Sequence, residues 1–147
     1  MTLARLHLVA GFIALMTIVS FFLSTVVSEL MGDVATIHAV KTAILWGMLL
    51  LAPAIIATGV SGMRLGRRSE DPRVKAKRTR MPFIAVNGVV LLVPAALMLQ
   101  ALASAGTLDA TFYMIQAIEL VAGATNIVLM SLNIRDGIHL ARAAGRH

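Results

Sequence analysis

Residues 82–104 read PFIAVNGVVLLVPAALMLQALAS, 23 positions without an Asp, Glu, Lys or Arg. The hydrocarbon core of a bilayer is about 30 Å thick, and a helix crosses it with roughly 20 apolar residues. Only helices and closed barrels satisfy their backbone in lipid, and a run this long without alternation reads as a helix. Three more stretches have the same character: residues 6–30, 37–63 and 111–134. The second holds one charge, Lys41, and the fourth one, Glu119; Glu29 stands at the outer edge of the first. Over all 147 residues, 59% are hydrophobic and 14% charged, against about 45–50% and about 25% in a soluble domain. That balance excludes water as the main solvent and excludes disorder. The absence of cysteine excludes disulfides and thiolate metal sites. The expected fold is all-α: one transmembrane domain over residues 1–147, a four-helix, up-down, antiparallel bundle. The first stretch is too long for the apolar region of a signal peptide, and Phe21, Phe22 and Leu23 stand where small cleavage-site residues belong, so it reads as a retained span.

Orientation follows from the basic residues. Arg64, Arg67, Arg68, Arg73, Lys75, Lys77, Arg78 and Arg80 fall between spans two and three; Arg5 precedes span one, and Arg135, Arg142 and Arg146 follow span four. Twelve of thirteen basic residues therefore share one side. Both termini and a basic loop over 64–81 are expected to be cytoplasmic, in a bacterial inner membrane. Gly32 and Gly106 suit the two short outer turns, and Asp71-Pro72 reads as a helix break in the loop. The net charge of +6 is thus a topology signal. No aromatics interleave the basic loop as in a single-strand binder, so nucleic acid is not expected; anionic lipid head groups are.

Helices in lipid associate through small residues and interhelical hydrogen bonds. Gln116, Glu119, Gly123, Asn126, Met130, Asn133 and Gly137 recur at steps of three and four, one seam of span four. His7, Ala10, Ala14, Thr17, Phe21, Ser24 and Ser28 do the same in span one; His38, Lys41, Leu45, Met48, Ala52, Ile55, Gly59 and Gly62 in span two. Span three offers Asn87 and Gln100, and Pro53 and Pro94 each remove a backbone donor near mid-span. The plain reading of the amides is polar glue that sets register.

An ionisable residue inside a membrane is by default a functional hypothesis with a named partner. Lys41 and Glu119 lie on their seams at depths that differ by a few Å, so they are expected to pair. The pair reads either as a register lock or, with Asn87, Asn126 and Gln116, as a proton relay or substrate contact. Histidines placed on facing helices can hold haem. His7 and His139 lie at the same membrane face, and His38 opens span two at the other. A soft-metal site at His38, Met31, Met114 and Glu29 is a further reading from ligand type. No nucleophile has a base oriented by a third group, which argues against hydrolysis.

The run Asn133-Ile134-Arg135-Asp136-Gly137, following Gln116 and Glu119 on one helix, resembles a family of small uncharacterised bacterial four-span proteins. The ground plan of four short helices with histidines near their ends is similar to that of four-helix membrane b-type cytochromes. That resemblance implies a haem b protein or subunit for electron transfer, linked to quinone; the axial ligands would be His7 and His139, or alternatively His38 with Met114 or Met31 at the outer face. Two other functions fit the composition: a small-molecule or proton-coupled transporter using Lys41 and Glu119, and a non-catalytic accessory subunit of a membrane complex. A membrane-complex partner or a homo-oligomer is expected in each case.

Overall fold

The computed structural model describes residues 2–144; Arg146 and His147 lie outside them. Five α-helices follow one another: α1 (Leu3–Met31), α2 (Val34–Gly66), α3 (Pro72–Asn87), α4 (Val93–Ser104) and α5 (Ala110–Ala144), with a π-helical segment, Gly88–Leu92, joining α3 to α4. The α3–α4 pair makes one long rod, so four apolar rods are long enough to cross a membrane. Each of the four spans expected from sequence lies inside one of them.

The caps explain the boundaries. Asp33 accepts the Thr36 N–H at 2.8 Å and starts α2, a side-chain cap on an orphan backbone donor. That bond holds the exposed Asp33 carboxyl below the usual carboxylate range. Asp109 takes the N–H groups of Thr111 and Phe112 ahead of α5. Gly106 adopts φ +68°, the left-handed turn that glycine allows without strain.

The basic loop over 64–81 is not a loop. Only residues 67–71 connect α2 to α3. Asp71 caps α3 by accepting the Arg73 N–H at 2.8 Å, and Pro72 occupies its first turn. The Asp-Pro pair therefore starts a helix rather than breaking one, because a proline at the first helical position loses no hydrogen bond. Lys75, Lys77, Arg78 and Arg80 are helical.

Large apolar side chains such as Leu49, Trp46, Val89 and Val121 are exposed, as lipid-facing positions require. The interior is built from two small clusters. Ile37, Ala95, Leu99, Ala103, Phe112 and Ile115 join α2, α4 and α5 at one end. Ala14, Ile18, Ala54, Ile84 and Met130 join α1, α2, α3 and α5 further along. The two prolines differ in effect: Pro53 sits within the continuous α2, whereas Pro94 adjoins the π segment, where the Val93 N–H reaches back five residues to the Gly88 carbonyl.

The α5 seam is buried as its spacing implies, at Gln116, Gly123, Asn126, Met130 and Asn133. The other two seams drift from a strict heptad, since 3.6 residues per turn do not match a 3.5 repeat. On α2 the buried line runs through Ile37, Lys41, Ile44, Ala54, Thr58 and Ser61, and Ala52 is exposed. On α1 it gains Gly11, Ile18 and Thr25.

Candidate functional site

Three helices deliver ionisable groups to one point inside the bundle. Lys41 of α2 is among the largest fully buried side chains, 1% exposed. Its Nζ lies 3.1 Å from Glu119 Oε2 on α5 and 3.7 Å from Glu29 Oε1 on α1. It also donates to Thr25 Oγ1 at 3.3 Å and to Gln116 Oε1. Gln116 completes a ring by donating from Nε2 to Glu119 Oε2 at 2.8 Å. Local helix geometry makes this possible: Gln116 and Glu119 are three apart and share a face, as Thr25 and Glu29 do at four.

Asn87 and Asn126 form a separate group along α5. Asn87 Nδ2 donates to Asn126 Oδ1 at 2.8 Å and to the Ala122 carbonyl at 2.9 Å, and Asn126 Nδ2 reaches the Ile84 carbonyl at 3.4 Å. Glu119 and Asn126 are seven residues apart, about 10 Å along the axis. The five polar residues named from sequence thus fall into two layers rather than one cavity. The amides fasten α3 to α5. Membrane hydrogen bonds average about 0.6 kcal/mol, so Asn87→Leu is expected to destabilise the fold by about 1–2 kcal/mol, two bonds being lost. Asn126→Leu in the same background is expected to add less than it costs alone, a coupling that a double-mutant cycle of detergent melts measures.

A third layer lies beyond. Arg80 of α3 donates to Asp136 Oδ2 at 2.6 Å and to Asn133 Oδ1 at 3.3 Å, and Asp136 is 5% exposed. From sequence, Arg80 is named only within the basic run and Asp136 only within the run Asn133–Gly137, and neither is paired. The signal available was Asp136 at three residues from Asn133, on the α5 seam.

The histidines are dispersed. His7 Nδ1 meets the Thr58 carbonyl at 3.0 Å and Ser61 Oγ at 3.1 Å. Its ring packs so closely on α2 that a Cβ added to Gly62 would lie 2.9 Å from His7 Cε1. His139 is exposed on α5, and His38 is partly buried at the start of α2. No hydrogen bond joins the three among the described residues, and of the three His7 alone is tied to a neighbouring helix by its ring nitrogen. Met31 and Met114 are exposed, and the described residues hold no group of three or more His, Cys, Asp or Glu side chains arranged for a metal.

Comparison with known proteins gives no family model, no curated sequence and no solved structure that matches this chain.

Proposed function

We propose that this chain is a small integral membrane transporter coupled to protons, with Lys41, Glu119 and Glu29 as its ionisable site. The observation that carries the reading is the convergence of one ammonium and two carboxylates, from three different helices, on a buried point. A charge at the bilayer centre costs about 2.5–3.5 kcal/mol on insertion scales. Hydrophobic side chains of the same volume would fasten the helices at least as well. A group of three ionisable side chains therefore has a use that packing alone does not supply.

In this reading the bundle is up-down, with both termini and the 67–71 connection on the cytoplasmic side of a bacterial inner membrane. The helical basic run of α3 lies against anionic head groups there. The Lys41 site is nearer the outer face, and the Asn87–Asn126 and Arg80–Asp136 layers close the interior toward the cytoplasm. Proton coupling is favoured over a register lock because one ammonium faces two acidic side chains, and only one of them is needed to balance it.

The test is proton flux. Purified protein is reconstituted into vesicles with a pH-sensitive dye inside, and a potassium diffusion potential is imposed. Wild-type vesicles are expected to change internal pH faster than protein-free ones. Glu119→Gln and Lys41→Met are expected to return the rate to that of protein-free vesicles while the helical signal in circular dichroism persists. Wild-type vesicles that match protein-free ones overturn the reading, as does a Glu119→Gln variant with the wild-type rate.

A further inference from the structure

An ammonium has three N–H donors, and on Lys41 all three are taken without Glu29. Thr25 Oγ1, Gln116 Oε1 and Glu119 Oε2 accept them. Glu119 is served twice, by Lys41 and by Gln116 Nε2, the pattern that suits an ionised carboxylate. Glu29 is served by nothing: both its oxygens are buried and neither has a hydrogen-bond partner among the described residues. Its Oε1 stands 3.7 Å from Lys41 Nζ, outside hydrogen-bond reach, and the side chain keeps 11% of its accessible surface.

The charges agree with the geometry. Lys41 and Glu119 cancel, so an ionised Glu29 would leave one uncompensated negative charge. The ionisable groups facing it are Lys41 from α2 and Glu119 from α5. Asp33, in the turn after α1, is exposed. A buried carboxyl that no donor serves, beside a completed ion pair, is neutral when it holds a proton.

We propose that Glu29 is the proton-binding group of this site. Lys41 pairs with one carboxylate, and the other carboxyl holds the proton. Its two possible partners are 3.1 and 3.7 Å away, so a shift of the ammonium by well under an ångström exchanges them. When Lys41 moves to Glu29, the O–H bond of Glu29 breaks and its proton passes to water; Glu119 takes a proton from water in turn. Each state contains one ammonium, one carboxylate and one carboxylic acid, so the site stays neutral throughout. A cleft of about 470 Å³ between the ends of α1 and α2, lined by Ser24, Ser28, Gly32, Asp33, Thr36 and Val40, flanks the residues next to Glu29 and Lys41. The use of the proton for transport rests on the function proposed above; the protonation of Glu29 does not.

Infrared spectroscopy of the reconstituted full chain tests the assignment, because a protonated carboxylic acid has a carbonyl stretch that a carboxylate lacks. At neutral pH the wild type is expected to show one such band. Glu29→Gln is expected to remove it, with little change in melting temperature because a neutral group replaces a neutral group. Glu119→Gln is expected to remove it too, since Lys41 then pairs with an ionised Glu29. A wild type without the band, or a Glu29→Gln variant that keeps it, overturns the assignment; a band that survives in Glu119→Gln overturns the exchange. Band and flux fail separately. A Glu29-dependent band without flux removes the transport reading alone, and flux without the band removes only the Glu29 assignment.

Discussion

Lys41→Met is expected to lower the stability of the fold by about 3–5 kcal/mol, the range for breaking a buried ion pair by deleting one partner. The substitution removes a side chain that is 1% exposed and leaves Thr25, Gln116, Glu119 and Glu29 turned toward an apolar group. Two carboxyl groups then share a pocket without a cation. Melting in mild detergent reads the loss. The triple variant Lys41→Met, Glu29→Gln, Glu119→Gln is expected to regain most of it, since uncharged and well-packed side chains replace buried ion pairs at little or no cost. Recovery of stability without recovery of proton flux would separate the packing role of these residues from their charge. A Lys41→Met protein that melts like the wild type would show that Glu29 and Glu119 reach water without it.

Arg80→Met is expected to cost about 2–3 kcal/mol, below the range for a fully buried pair because Arg80 is partly exposed. Its side chain is 22% exposed against 7% for Asp136. Without Arg80, the ion-pair partner left within 4 Å of Asp136 among the described residues is the solvent-facing Arg135 guanidinium at 3.4 Å, and Asn133 Oδ1 loses its hydrogen bond from Arg80. Arg80→Lys is expected to recover about half of the loss, since a point ammonium does not span two acceptors as a guanidinium fork does. The same melts decide it. A change below about 0.5 kcal/mol would place the pair among surface contacts.

Span existence and number were legible because lipid imposes one requirement, length without charge, and the residue 82–104 run meets it unaided. The Lys41–Glu119 encounter was legible for a related reason: two isolated charges at matching depth in apolar helices have few partners to choose from. Glu29 and Thr25 were harder. Thr25 lies off the heptad line through Ser24 and Ser28, and a drift of a few tens of degrees decides which hydroxyl faces Lys41. His7 on α2 depended on Thr58 and Ser61, which the same drift brings to the seam in place of Gly59 and Gly62. The split of the polar residues into layers was illegible in composition, because a list of polar residues on one face carries no information on which pairs share a height. The start of α3 at Pro72 was missed because proline has opposite meanings inside a helix and at its first turn.

The π segment fixes a length rather than a set of side chains. Before it, α3 turns Ile84 and Asn87 inward; after it, α4 turns Ala95, Ala96, Leu99 and Ala103 inward. A continuous 3.6-residue repeat from Ile84 and Asn87 would instead have brought Leu91 and Met98 inward, and both are exposed. The wide turn therefore acts as a one-residue spacer, rotating the second half of the rod by about 100° so that each half finds its own neighbours. Val89, Val90 and Leu91 face outward, so apolar exchanges among them alter nothing the interior reads. Removing any one of them would turn the whole of α4 to the wrong side. At this point in the chain, counting residues matters more than choosing them.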